Sequence, residues 1–590
     1  MTQLTGIPRD RIQFLTAAAL IALFSFLWFY FPARYVLFAN HDVTLFLTTP
    51  DYLKPFLKRP GGFLEYAGSF IAQFLRFRLA GALLLAGTVT TSFLLVAQWA
   101  RRNGRIRDSV VAGVVTAALF ISMINYYPHR MHHSLGLLLS LFLAGRAPIG
   151  GRDMRIFMGI ALPLLYVLGG GFVWFFILTW IFRSLFLEMK FRREWLIWGV
   201  GYPALILLVF SRFIYLQPFR ELLLNPLPLG PDYGRVIWPL VFAGWIWFSP
   251  LLAWFLTRVG WEGKWRKLTV PVVMLTGSVL VIGLSYNRKN AEFFMIEELA
   301  VNEEWEGLLR YADEHPSTNL FGSFYTNLAL FYQDRLCRSL FDYPQPFGRR
   351  GLCFEWDAKG EVLRRGSDFF WAIGFVNEAH HWAFESMIVD GITRRNLRRL
   401  IQTELVSGNL TLAGKYIGLM NRTLFDKGLS RNYARYLDNP GSILQDPHLG
   451  ARAGIRIRKD FFADGLDLER NLKFLAESEP ATKPVLDYLM ALYLLERRVD
   501  EIVALLPGYL EMTRQPLPVL LDETLLVYKI THREDNRTGI AVSEQTSRKF
   551  EEYAGILRQT RDQEEAARLL YPKFGHTFWF YLNFSELLNY

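Results

Sequence analysis

Between residues 12 and 286 nine apolar runs follow one another, divided by short loops, and no other feature of the chain limits its fold as tightly. The runs are 12–36, 78–99, 108–127, 134–145, 155–168, 172–187, 195–213, 236–256 and 268–286. In lipid every backbone N–H and C=O must be paired within the segment, which a helix achieves alone. The runs therefore read as about nine membrane helices. A full crossing needs roughly 20 apolar residues, and the fourth, fifth and sixth runs are shorter. Gly169-Gly170-Gly171 interrupts 155–187. A tight hairpin between two short helices is the favoured reading, and one long kinked helix is the other.

Charge sets an orientation. Residues 1–289 hold 29 Lys+Arg against 11 Asp+Glu, a balance of +18, whereas residues 290–590 hold 36 against 43, a balance of −7. The basic excess collects in four loops: Arg101, Arg102, Arg105 and Arg107; Arg146, Arg152 and Arg155; Arg183, Lys190, Arg192 and Arg193; Arg258, Lys264, Arg266 and Lys267. With nine segments and a cytoplasmic N-terminus, all four face the cytoplasm, where such residues concentrate. Everything after 287 then lies outside the cytoplasm. A nucleic-acid partner does not account for basic residues confined to loops between apolar runs, and none is expected. The first run ends at Phe31-Pro32-Ala33-Arg34 without a small-residue cleavage pattern, so it reads as an uncleaved anchor.

The chain is 52% hydrophobic and 20% charged, with 17 Trp, 26 Tyr and 49 Phe. That excludes a disordered or fibrous protein, and two cysteines exclude a disulfide-rich scaffold or a cysteine-built zinc site. From 290 onward amphipathic helical patterns replace the apolar runs. Trp305, Leu308, Tyr311 and Ala312 precede Pro316, which stops a helix. A second helix follows in NLFGSFYTNLALFYQDRL. Further helices are expected at 371–389 with 393–407, at 411–424 with 428–437, and at 466–477 with 483–496 and 499–513. Such helices bury their apolar faces only by stacking, so 290–590 reads as an α-solenoid. The Trp-x-x-Leu start and Asn327-Leu328-Ala329-Leu330 resemble a degenerate tetratricopeptide unit. The stretch 338–368 reads as a long loop. Cys337 and Cys353 flank it and could form a disulfide outside the cytoplasm, or be two unrelated thiols.

Three loops converge on the outer side. The first, 37–77, opens with Asn40-His41-Asp42 and contains Asp51, Lys54, Lys58, Arg59 and Glu65, with FLEYAGSFIAQFLRF as an interfacial helix. The second is Tyr126-Tyr127-Pro128-His129-Arg130-Met131-His132-His133. The third runs through Arg212, Tyr215, Arg220 and Glu221 to Arg235. Asp42, at the membrane boundary, could take a proton or hold a divalent cation beside a phosphate. His41, His129, Arg130, His132, His133, Arg212 and Arg220 could bind that phosphate. Against this, outer loops are polar because water is there. His380-His381 falls within a helix, where adjacent positions point about 100° apart, and packing is the better account. No HExxH, GxSxG or phosphate-binding glycine loop occurs.

The membrane half resembles GT-C glycosyltransferases, which use polyprenyl-linked sugars. The shared features are a cytoplasmic N-terminus, a long first outer loop opening with an acidic residue in Asn40-His41-Asp42-Val43, an interfacial helix, and an outward soluble domain. The resemblance implies catalysis by Asp42, although the adjacent acidic pair of that superfamily is absent. Over nearly its whole length the chain also resembles an uncharacterised membrane-protein family of Bacteroidetes-type bacteria, designated a domain of unknown function. NHD near 40, NLALFYQDRLCRSLFDYPQ at 327–345 and LTLAGKYIGLMNRTLF at 410–425 carry that likeness. Together these imply an inner-membrane protein with a periplasmic helical-repeat domain. It would transfer sugar from a polyprenyl phosphate carrier to a protein or glycan, or else act as a membrane-anchored scaffold binding partner proteins. A transporter has little support, because charged residues deep in the runs are scarce.

Overall fold

The structure, a computed structural model, describes residues 9–101, 106–148, 150–188, 194–229, 237–258, 264–357, 360–455, 467–477, 482–532 and 539–587. Of the loop cations above, Arg102, Arg105, Lys190, Arg192, Arg193 and Arg235 lie outside the described residues. The described elements are helical apart from one isolated β-bridge. The chain divides into two compact units, Met1–Ala291 with Arg422–Leu424, and Glu292–Asn421 with Phe425–Tyr590.

In the first unit each apolar run contains a helix. Among the described residues three are long and apolar enough to cross a membrane: Arg11–Tyr30, Arg78–Ala100 and Glu194–Phe213. Four more are apolar but shorter: Ser109–Ile124, Phe172–Leu185, Trp238–Ser249 and Val272–Ser285. Leu15, Leu20, Leu23 and Phe24 of the first helix and Leu205 and Leu208 of the third are exposed. A row of exposed aliphatics on an all-apolar helix is what hydrocarbon covers. The first run does not stay helical to 36. Its helix stops at Tyr30, because Pro32 disfavours helical geometry at the residue before it, and a separate helix Tyr35–Asp42 follows.

The run 155–187 is a hairpin of two helices, Gly151–Gly169 and Phe172–Glu188. Gly170 makes the turn at φ +54°, where an L side chain is strained, and a Cβ there would sit 2.2 Å from the Asn225 carbonyl oxygen. Gly171 donates its N–H to that same oxygen at 2.7 Å. The glycines thus allow a backbone-to-backbone contact that no larger residue would permit. Behind the hairpin, Met154, Met158, Leu162, Tyr166, Phe176 and Trp180 form a buried core.

The second unit is a series of helix pairs. Trp305–Glu314 packs with Leu320–Tyr332, Gly360–Ala372 with Val376–Asp390, Arg394–Ser407 with Leu410–Asn421, and Lys483–Leu495 with Val499–Thr513. Two expectations need correction. The expected helix 371–389 is two helices separated at 373–375, and the expected loop 338–368 ends early because Gly360–Ala372 is helical. Within that helix Gly366 lets the Trp382 ring approach within 2.1 Å of where a Cβ would stand.

Helix Arg394–Ser407 ties the pairs together electrostatically. Arg394 pairs with Asp426, Arg395 with Glu297 and Asp368, Arg398 with Glu303, and Arg399 with Asp368. Thr393 caps its start by accepting the Asn396 N–H, while the Asn396 side chain accepts the Thr393 N–H.

Candidate functional site

Asp42 is the last residue of helix Tyr35–Asp42 and only 6% exposed. The polar residues around that helix end hold the chain's exit in place. Asn40 Nδ2 donates to the Val36 carbonyl at 3.1 Å, Thr44 Oγ1 donates to the Asn40 carbonyl at 2.9 Å, and Gln73 Nε2 donates to the Thr44 carbonyl at 2.9 Å. Arg130 reaches the same helix, its Nη1 donating to the Ala39 carbonyl at 2.9 Å. The second predicted loop is therefore fixed to the element that carries Asp42.

Within that loop the histidines organise the start of helix Met131–Arg146. His133 Nδ1 accepts the Arg130 N–H at 3.0 Å, closing a cap on the first turn. His129 Nε2 lies 3.0 Å from Ser134 Oγ. The His132 and His133 rings are 4.2 Å apart and those of His129 and His133 5.2 Å. The loop precedes the apolar stretch 134–145. Burial, reinforced by the neighbouring imidazole and guanidinium groups, pulls His129 down to about 3, and burial with Arg130 and Arg59 does the same to His132. At neutral pH these imidazoles are uncharged. They can donate or accept a hydrogen bond, but the permanent positive charge of the loop belongs to Arg130.

A second polar cluster was not singled out by sequence reasoning. Arg59 forms an ion pair with Glu65. The other Glu65 oxygen accepts from Asn225 Nδ2 at 2.8 Å, and that amide also donates to the Pro60 carbonyl at 3.1 Å. Burial pushes the Glu65 carboxyl up, opposed by Arg59 and by the Asn225 bond. The clue in the sequence was a lone Glu inside the apolar segment FLEYAGSF. Gly68, on the next turn of the same helix, lies so close to His132 that a Cβ would stand 2.7 Å from its backbone nitrogen. The helix Gly62–Ala72 thus contacts both the 129–133 loop and, through Glu65, Asn225.

The remaining candidates lie elsewhere. His41 is half-buried with its ring 6.0 Å from Phe38. Arg212 lies in the last turn of the helix Tyr202–Phe213 and Arg220 belongs to Phe219–Leu224; both are exposed. No hydrogen bond or ion pair among the described residues joins either to Asp42 or to the 129–133 loop. Cys337 and Cys353 are both free thiols in the structure. Cys337 Sγ points at the Asp487 carbonyl, 3.6 Å away, whereas Cys353 Sγ lies 3.5 Å from the Phe354 carbonyl. His380 and His381 diverge as adjacent helical positions must: one meets Thr403 at 3.1 Å, the other stacks on Trp356. Among the described residues no three His, Cys, Asp or Glu side chains are grouped to hold a metal ion.

The chain belongs to the family of unknown function DUF6057, whose model matches residues 10–585. No curated protein and no solved structure matches it.

Proposed function

We propose that the polar end of the membrane unit is the site of a glycosyltransferase-like reaction that takes a sugar from a polyprenyl phosphate carrier at the outer membrane face. The observation that carries this reading is the burial of Asp42 on a helix to which Arg130 is hydrogen-bonded. A carboxylate at a membrane boundary is costly to keep, and such groups mark functional positions more often than structural ones. In the reaction an acceptor hydroxyl attacks the anomeric carbon as the bond from that carbon to the phosphate oxygen breaks. The phosphate leaves with the bonding electron pair, and Asp42 takes the hydroxyl proton. Arg130 meets the phosphate charge. His129 and His132, being neutral, orient hydroxyl groups and add no charge.

In this reading the protein sits in a bacterial inner membrane with its helix-pair unit in the periplasm, where that unit presents the protein or glycan acceptor. The test is sugar transfer from a polyprenyl-phosphate-linked donor by the full chain in reconstituted membranes. Asp42→Asn removes the base with little change in volume. Transfer at the unaltered rate would sink the assignment.

A second reading is favoured by one observation in the other unit. Phe384, Ile388 and Val389 of helix Val376–Asp390 are exposed, and Trp356 lies on His381 of the same helix. Exposed apolar side chains at helical spacing suit a protein partner. As a scaffold the chain would co-purify from its native membrane with a stoichiometric partner that Ile388→Asp releases. Recovery without any such partner would remove this reading.

A further inference from the structure

Five helices of the helix-pair unit bring aromatic rings and guanidinium groups to one place. Trp305, the first residue of Trp305–Glu314, stacks on Tyr332, the last residue of Leu320–Tyr332, with ring centres 4.4 Å apart and 12° between the planes. Arg452, from the short helix Gly450–Ala453, brings its Nη2 to 3.4 Å from the Tyr332 hydroxyl oxygen. The same guanidinium lies over the Trp371 ring of Gly360–Ala372, 5.5 Å from its centre, and Arg399 of Arg394–Ser407 lies over that ring at 4.7 Å. Trp371 is buried, whereas Trp305, Tyr332, Arg399 and Arg452 are half-buried and keep some surface.

The two guanidinium groups are short of negative charge. Arg452 gives its nitrogens to neutral oxygens: Nε donates to the Trp371 carbonyl at 3.3 Å, Nη1 to the His448 carbonyl at 3.1 Å, and Nη2 to the Tyr332 hydroxyl. No carboxylate among the described residues pairs with it. Arg399 Nη2 donates to Asp368 at 2.9 Å, but Arg395 shares that carboxylate. Arg399 Nη1 donates to the Gln402 amide oxygen at 3.0 Å, and its buried Nε–H meets no acceptor among the described residues. Glu303, the other carboxylate near Tyr332, is held by Arg398 at 2.6 Å. A guanidinium fixed by neutral acceptors keeps its charge for an incoming anion, and a buried donor left unpaired is costly.

The surface around the charge selects the kind of anion. None of Trp305–Glu314, Leu320–Tyr332, Arg394–Ser407 and Gly450–Ala453 exposes a large aliphatic side chain, so no apolar contact is offered to the side chains of a peptide. A half-buried indole beside charged and amide groups offers a flat apolar face next to hydrogen-bond partners. A pyranose has the matching character, with C–H groups on its face and hydroxyls round its edge. We infer that this place binds an acidic saccharide, its carboxylate or phosphate between Arg452 and Arg399 and its ring against Trp305. The inference does not depend on the transfer chemistry, because an anchor of this kind holds an acidic glycan whether or not the membrane unit moves sugar.

The test is titration calorimetry on the full chain in phosphatidylcholine nanodiscs, whose lipid adds no net charge. The probes are a galacturonic acid tetramer, the same tetramer with its carboxyls reduced to alcohols, a hexose 6-phosphate, and an acidic peptide with a free terminal carboxylate, at one ionic strength. At least one of the two acidic sugars should bind, and the tighter of them assigns the group as carboxylate or phosphate. The reduced tetramer and the peptide should not bind. Arg452→Gln breaks no ion pair, so it should weaken the acidic sugar about tenfold while the unfolding temperature stays unchanged. Equal affinity for the reduced tetramer would overturn the role of charge, and a peptide bound as tightly as the sugar would overturn the choice of saccharide. Binding of neither acidic sugar, or full affinity in Arg452→Gln, would remove the site.

Discussion

Glu297 and Arg365 form a two-pronged ion pair in the helix-pair unit, each carboxylate oxygen 2.7 Å from a guanidinium nitrogen and each side chain 1% exposed. Arg395 adds a contact to Glu297 at 2.9 Å and passes on to Asp368, which Arg399 also holds. The arginine charges therefore come to rest on carboxylates from separate helices. Arg365 also lies 4.4 Å over the Phe321 ring. Such a network specifies which helices pair more than it adds stability, because desolvation offsets much of the attraction.

Breaking the pair from one side is the severe case. Glu297→Gln leaves the Arg365 charge buried and half-compensated, and it should destabilise the second unit by about 3–5 kcal/mol. Replacing both partners with apolar residues, Glu297→Leu with Arg365→Met, should cost less than the sum of the two single changes. Thermal unfolding of the four proteins in one detergent gives the comparison. Additive losses would show that the two side chains do not act as a pair.

The same network predicts an acid limb in stability, and a different carboxyl predicts an alkaline one. Burial pushes Glu297 and Asp368 upward, but the surrounding arginines outweigh it and hold both below the ordinary carboxylate range. Their contribution is present above that range and is lost as pH falls through the folded values. Glu523 is the reverse. It is buried, accepts the Phe578 N–H at 2.7 Å, and is pushed up to about 8 by burial. Its contribution is complete below its ordinary value of 4.5 and is lost as pH rises towards about 8. Melting curves between pH 5 and 9 should decline on the alkaline side, and Glu523→Gln should flatten that decline. An unchanged slope would mean that Glu523 does not titrate in this interval.

Gly366→Ala tests how closely the helix Gly360–Ala372 packs against Trp382. The added methyl would overlap the Trp382 ring, and overpacking of this kind costs about 1–3 kcal/mol. Lower unfolding temperature with unchanged helix content is the expected result. Equal stability would mean that the ring moves freely.

Residues 305–314 were legible because Trp305, Leu308, Tyr311 and Ala312 follow a helical spacing that Pro316 ends. The hairpin at 169–171 was legible because three glycines interrupt an otherwise apolar run. The Glu65–Asn225 bond was not legible. Its partners are 160 residues apart, and each taken alone resembles an ordinary polar residue near a membrane boundary. Arg212 and Arg220 belong to the same expected loop as Asn225, yet it is Asn225 rather than either arginine that hydrogen-bonds to the first loop.

The thiols give a direct chemical check. Without reductant, the denatured chain should accept two maleimides, one at Cys337 and one at Cys353. In the folded protein both should react slowly, because burial pushes each thiol upward and suppresses the thiolate. A denatured, unreduced chain that accepts none would establish the disulfide that the geometry argues against.

Orientation can be decided without any assay of activity. The basic residues of 1–289 cluster in alternate loops, and lysine and arginine near membrane segments remain cytoplasmic. A reporter fused after residue 103 should therefore give a cytoplasmic signal, and one fused after residue 290 a periplasmic signal. The second result follows only if the segments between them are odd in number, which requires the Gly170 hairpin to return the chain to the side it left. A cytoplasmic signal at both positions would leave the hairpin intact as a fold. It would place Asp42 and the 129–133 loop on the outer face with the helix-pair unit on the other, and transfer to an acceptor presented by that unit would fail on geometry alone.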